Sequence, residues 1–347
     1  MKFGPGALRY CLALLVVVHH SFPARLGAFA VYAFFALSGY WITRMWTGRY
    51  AGTCQPYLTF LVSRWWRLAP VFFLCLLLAL LAAHFNPQAI QPPADLLAWL
   101  VRQIPIAGSS AAGRVLPPTW SLDVEMQFYL VAPLLILGAA RLPRVARQMI
   151  FIATVFITVA YFVRGGSAEV PALWPFLSCF LVGMAIAGQA QAPGRLWVWG
   201  GGGLALAGTF VLACWPATAA HLFARGRDVL DHSSAAARIV GIWWVACVFL
   251  LAPFISWNVR QPSPKWDARL GAMAYPLYLF HWIPRDLYYA FSPEGGMARL
   301  LALAGNIAAA VIGAYLINRL FDEPIDRLRQ GWVKSRSAPR PVPQPVV

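Results

Sequence analysis

In this chain of 347 residues, 60% belong to the AVILMFWYC set and only 12% are charged, about half the charge of a water-soluble globule. That composition excludes a disordered chain and a disulfide scaffold. The net charge of +16 would suggest nucleic acid in a soluble protein, but here it sits in short loops between apolar stretches, where it is a topology signal. The expected fold is an all-α polytopic membrane bundle with no nucleic-acid partner. The six cysteines are scattered without a CxxC pair, so neither a metal site nor a disulfide framework is read.

In chain order the apolar stretches are Leu8–Ala28, Phe29–Thr47, Leu68–Phe85, Thr119–Ala140, Gln148–Val163, Pro171–Gln189, Leu196–Cys214, Ala237–Trp257, Leu270–Tyr289 and Ala298–Leu320. Each is near the ~20 residues of a bilayer-crossing helix, so about ten transmembrane helices are expected. The first has no clear small-residue cleavage site, and a second apolar stretch follows almost at once, so it is kept as a permanent helix. The shorter Leu96–Ile106 stretch reads as interfacial. Gly200–Gly203 reads as a close-packing patch between helices, not as a phosphate loop. Ten spans put both termini on one side, and that side carries 19 of the 28 Lys and Arg, so the termini are expected to be cytoplasmic. Residues 1–328 form the membrane domain, and 329–347 read as a basic, Pro-rich, disordered cytoplasmic tail without a catalytic role.

Ionisable groups inside such spans are costly and need a reason. Arg9 and His20 lie eleven residues apart in the first helix. They differ by about 20° around the axis and about 16 Å along it, and so share a face. Imidazole can be a hydrogen-bonded bundle residue or a proton carrier near neutral pH. Ser38-Gly39 in the second helix permits close approach of a helix or a ligand. Arg64 and Arg67, three apart around Trp65-Trp66, either anchor the interface or offer a guanidinium fork for phosphates. Pro117-Pro118 start a helix on which Ser121 and Glu125 share a face that Phe128 and Tyr129 extend. Asp123 and Glu125 can alternatively cap that helix and favour its dipole. Glu125 and His20 can lie at the same depth. His281, with Tyr278 on its face, is a second mid-membrane imidazole.

These pieces in this order resemble the acyltransferase-3 family of integral membrane O-acyltransferases. Arg9 and His20 match an Arg, ten residues, His pattern, and Phe34, Phe35, Ser38, Gly39 and Tyr40 match a Phe-Phe-x-x-Ser-Gly-[Tyr/Phe] element. Arg64 and Arg67 match an Arg-x-x-Arg pair. Trp120, Ser121, Leu122, Glu125, Phe128 and Tyr129 match Trp-Ser-Leu-x-x-Glu-x-x-Phe-Tyr. Tyr278-Leu279-Phe280-His281-Trp282 resembles a late Tyr-Leu-x-His-Trp element, and Phe321-Asp322-Glu323-Pro324 resembles the closing Glu-Pro element. The likeness runs from about residue 6 to 328. The acid of the usual Asp-Gly-Leu-Arg start is missing before Gly6, and the soluble esterase-like domain of some members is absent.

The resemblance implies transfer of an acyl group, acetyl by default, from acyl-CoA to a hydroxyl of a glycan or lipid-linked sugar. It implies a bacterial inner membrane, with membrane lipids as surroundings and no metal. His20 is the expected general base, with Glu125 orienting it. Arg9, Arg64 and Arg67 are the expected cofactor-binding residues. Ser38, Tyr40, Ser121, Tyr129, Tyr278 and His281 are expected on the substrate or at the oxyanion. The competing class is a transporter or flippase for a polar or lipid-linked molecule. The missing internal repeat counts against it.

Overall fold

A computed structural model describes residues 3–22, 25–85, 94–113, 115–223, 234–290 and 296–337. Within them the chain is helical, and the one β-type pairing is an isolated bridge between Thr53 and Ser337. The helices are α1 (Pro5–Ser21), α2 (Gly27–Met45), α3 (Pro56–Ala83), α4 (Leu96–Gln103), α5 (Thr119–Arg141), α6 (Arg144–Val163), α7 (Leu177–Ala187) and α8 (Arg195–Cys214). They continue with α9 (Pro216–Leu222), α10 (Ala235–Leu250), α11 (Ala252–Asn258), α12 (Lys265–Phe280), α13 (Trp282–Ala290), α14 (Gly296–Ile317) and α15 (Glu323–Ser335). Proline opens α1, α3 and α9 at the first helical turn, where its missing N–H costs nothing. Side-chain caps start α4 and α10: Asp95 accepts from the Ala98 N–H and Ser234 from the Ala237 N–H.

Among the described residues five helices are long and apolar enough to cross a membrane: α3, α5, α6, α8 and the run from α14 into α15. The α10–α11 pair makes a sixth if its 43° bend is counted within one broken span. The expectation of ten spans is therefore corrected, and local chemistry explains the difference. The first stretch stops at Ser21 after 17 helical residues. Ser38, Gly39, Thr43 and Arg44 dilute the hydropathy of α2. Pro171 and Pro175 delay α7, which has only 11 residues. Pro253 lies at the α10–α11 bend, and Pro284 offers no N–H to the Phe280 carbonyl where the chain breaks at His281. The spanning helices present exposed apolar faces, such as Ile152 and Phe156 on α6 and Leu204, Leu206 and Phe210 on α8. Exposed apolar faces of this kind are unfavourable in water and suit hydrocarbon.

Two packings set the framework of the site. Helices α2 and α7 cross on glycine: a Cβ on Gly39 would sit 2.1 Å from the Phe180 carbonyl oxygen, and one on Gly183 would sit 1.8 Å from that of Ala36. Small residues thus bring the backbones together. Helices α1 and α12 run side by side in the same direction. Asp267 at the start of α12 accepts from the Gly6 N–H (2.9 Å), the Ala7 N–H (2.8 Å) and the Ser263 hydroxyl (2.6 Å). The carboxylate missing before Gly6 in the chain is therefore supplied from 260 residues away, capping orphan N–H groups at the positive end of α1. A Cβ on Gly6 would lie 1.9 Å from the Asp267 carbonyl oxygen, so only glycine admits this approach.

The end of the chain departs from the expected boundary at residue 329. A π-helical turn, Asn318–Asp322, leads into amphipathic α15, which continues to Ser335 with Arg329 and Val333 buried. The expected disordered tail is in this part a packed helix: Arg329 bonds to Ser63 of α3, and Val333 is buried in the apolar core. Residues 338–347 lie outside the described residues.

Candidate active site

Helices α1, α2, α3, α5, α12 and α15 enclose a cavity of about 490 Å³. Its wall includes Arg9, Ser38, Arg64, Arg67, Ser121, Glu125, Tyr129, Tyr275, Tyr278 and Arg329. Ser38 faces it because Gly39, one residue on, is committed to α7. Glu125 sits one turn beyond Ser121 on α5 and accepts from both the Ser38 and Tyr129 hydroxyls through Oε1. Ser121 Oγ and Tyr278 Oη are 2.7 Å apart, and Tyr278 also donates to the Pro118 carbonyl at 3.0 Å. Arg67 donates to Asp322 Oδ1 at 2.6 Å, and its guanidinium lies over the Tyr275 ring at 5.6 Å. Arg9 is half-buried, and among the described residues it forms no ion pair. The cavity is therefore a basic chamber whose carboxylate is already held by two hydroxyls.

His20 lies elsewhere. It lines a second, smaller cavity of about 120 Å³ with His19, Val31, Pro118, Trp120, Glu169, Tyr278 and Trp282. Its ring stacks on His281 (5.3 Å between centroids, 19° between planes) and meets Trp282 edge-on at 4.8 Å. His281 is buried, and its Nδ1 donates to the Tyr278 carbonyl at 2.8 Å. A carbonyl can only accept, so this bond leaves the His281 Nε2 with its lone pair, and that atom has no protein partner among the described residues. Arg285 donates through Nε to the His20 carbonyl at 3.0 Å and stacks on Trp282 at 4.1 Å. A cation is thereby placed at the negative end of α1, which fixes the backbone that carries His20.

The two cavities share two wall residues, Val31 and Tyr278. The arginine cavity and the histidine pocket are thus adjacent, with these two residues as the partition between them.

Of the residues singled out in the sequence, Arg9, Arg64, Arg67, Ser38, Ser121, Glu125, Tyr129 and Tyr278 come together around the larger cavity. His20 and His281 come together at the smaller. The expected His20–Glu125 contact does not form, because Glu125 is engaged by Ser38 and Tyr129 and its helical face turns to the larger cavity. Tyr40 lines neither cavity: it is buried with its ring against Trp41 at 5.0 Å. Asp123 anchors the preceding loop, accepting from the N–H groups of Gly108 (2.6 Å) and Ser110 (3.1 Å). Sequence reasoning gave no site role to Asp267, Asp322, Arg285 and Arg329. The Asp322-Glu323-Pro324 motif was the available signal for the last helix, since a proline after an acid marks a helix start close to the membrane.

Comparison with known proteins gives a family match. A family model of the acyltransferase-3 type, described as an acyltransferase domain, covers residues 4–319. No curated protein and no solved structure matches the chain.

Proposed function

The chain belongs to the acyltransferase-3 family, and from that premise we propose that it moves an acyl group, acetyl by default, from acyl-CoA to a hydroxyl of a glycan or lipid-linked sugar. The reading places the protein in a bacterial inner membrane, with the basic end of the bundle and both termini in the cytoplasm, in keeping with the excess of Lys and Arg there. The observation that carries it is the shared Val31–Tyr278 partition, which sets a basic chamber back to back with a histidine pocket. A polyanionic donor suits the first, and a neutral alcohol beside an imidazole suits the second.

In this mechanism the phosphates of the donor stay among the arginines, and the thioester reaches the partition. His20 accepts the proton of the acceptor hydroxyl as its oxygen attacks the thioester carbonyl. The hydroxyls of Ser121 and Tyr278, beside the partition, turn from the Pro118 carbonyl to donate to the developing oxyanion. The carbon–sulfur bond then breaks, and the thiolate of CoA leaves and takes up the proton held by His20. Glu125 offsets the charge of Arg9 and holds Ser38 and Tyr129 in the donor wall. His281 stacks on His20 and keeps its ring from turning.

Proteoliposomes given acetyl-CoA labelled in the acetyl group and a panel of hydroxyl acceptors test the reading. Label appearing as an ester on an acceptor is the expected result. Net movement of the acceptor across the bilayer without label transfer would instead make the protein a transporter.

A further inference from the structure

We propose that Arg329, on the last helix, forms with Arg64 a cross-helix fork for the donor's phosphate, and that Arg67 is not part of it. The inference rests on the acyl-CoA reading above and names the residues of its anion subsite.

Arg64 alone of the three has no carboxylate partner among the described residues, whereas Arg67 and Arg329 each hold one; a hydrogen-bonded chain through Tyr50 and Ser63 joins Arg329, and not Arg67, to Arg64. Arg67 already holds Asp322 at 2.6 Å, and Asp322 is itself buried. Arg64 is 7% exposed, yet its one hydrogen bond among the described residues is a long 3.5 Å contact from Nη2 to the Tyr50 hydroxyl. Its Nε is buried without any partner, and among the described residues no carboxylate comes within ion-pair distance. A guanidinium removed from water and left without a counter-ion is strongly unfavourable. Arg64 lines the larger cavity, so an anion bound there satisfies it.

Arg329 reaches the same wall from the other end of the chain. It is 5% exposed. Its Nε and Nη2 lie 2.9 and 2.7 Å from Asp326 Oδ1, and its Nη1 donates to Ser63 Oγ at 2.7 Å. Ser63 is in turn 2.7 Å from the Tyr50 hydroxyl that Arg64 touches. Arg64, Tyr50, Ser63 and Arg329 thus form one continuous polar chain, with two buried cations against the single carboxylate of Asp326. The chain carries a net positive charge and presents two planar donor groups, the geometry that suits a phosphate. Helix α15 is held in place to deliver Arg329: the Cys54 N–H donates to the Arg336 carbonyl at 2.8 Å, and the rings of Trp66 and Trp332 lie 5.9 Å apart.

The test compares donors with and without phosphate on the same preparations. With acetyl-CoA, Arg329→Ala should raise KM about 10- to 100-fold, the range of a lost charge-assisted hydrogen bond. With S-acetyl-pantetheine, which has no phosphate, the ratio of variant to wild type should shrink to about twofold. Arg329→Lys should fall between, keeping the charge without the fork. Arg327→Gln, on the exposed face of α15, should match wild type. An equal penalty with both donors means a purely structural role and overturns the proposal, as does an unchanged KM for acetyl-CoA. A penalty seen only in nanodiscs containing anionic lipid assigns the fork to a lipid headgroup and overturns it too. Equilibrium dialysis of CoA itself needs no turnover: Arg329→Ala should weaken binding by the same factor, and equal binding by variant and wild type refutes the fork. Tight CoA binding by wild type without any acyl transfer would contradict the proposed activity while leaving the fork standing.

Discussion

The arginine cavity and the histidine pocket settle the polar groups of a membrane bundle in different ways. In the first, charge meets charge and hydroxyl meets carboxylate: Arg67 with Asp322, Arg329 with Asp326, and Ser38 and Tyr129 with Glu125. In the second, rings stack and backbone carbonyls take up donors, His20 on His281, His281 to Tyr278 and Arg285 to the end of α1, and the ion pair there, Arg285 with Asp286, joins neighbours in the chain. In the proposed function the chamber with surplus cations receives the anionic donor. In the proposed function the stacked imidazoles, with the unpartnered His281 Nε2, handle the proton. The difference teaches that Arg9 and His20, on one face of one helix, serve different compartments because about 16 Å of rise separates them.

The sharpest way to break this division is at His20. His20→Ala should lower kcat by about 10²- to 10⁴-fold, the span of general-base catalysis, and leave the KM for acetyl-CoA near wild type. Steady-state kinetics in proteoliposomes reads both. Full activity would remove the histidine pocket from the chemistry.

Next is the partition. Val31→Trp puts an indole where both cavities share a wall. It should cut turnover about 10- to 100-fold while CoA binding persists, since overpacking of a tight site costs about 1–3 kcal/mol. Undiminished turnover would mean that the acyl group takes another route.

Glu125 separates the two compartments by coupling. In the double-mutant cycle of His20→Ala with Glu125→Gln, the effects should add within about 0.5 kcal/mol, as for sites without shared partners. A coupling of about 2 kcal/mol or more would restore the His20–Glu125 pair that the sequence suggested and the fold keeps apart.

The smallest catalytic effect is expected at Asp322→Asn. It releases Arg67 from a largely buried pair and should destabilise the protein by about 3 kcal/mol, read as a lower melting temperature in detergent. The KM for acetyl-CoA should change less than threefold, because Arg67 is outside the fork. A KM change as large as that of Arg329→Ala would return Arg67 to the donor site.

Helical periodicity made much of this arrangement legible. The four-residue spacing of Ser121 and Glu125, continued by Tyr129, does put three side chains on one cavity wall, and Ser38 next to Gly39 does mark a close helix crossing. What periodicity cannot carry is pairing across the chain. Asp267 caps α1 from a distant helix, and Asp322 reaches Arg67 across 255 residues, and neither has a local signature. Helix α15 was hidden for another reason. Its mean hydropathy is low and its sequence basic, so it resembles a solvated tail until Arg329 and Val333 are seen to be buried. Counting spans by composition failed where prolines break apolar stretches, at α7, at the α10–α11 bend and near His281.

The most direct test of the two-compartment account is a cryo-EM structure with a non-hydrolysable acetyl-CoA analogue. The account predicts phosphate density between Arg64 and Arg329 and the acyl end against Val31 and Tyr278, facing His20 across the partition. Phosphates bound at the histidine end, or an acyl group lodged away from that partition, would contradict it.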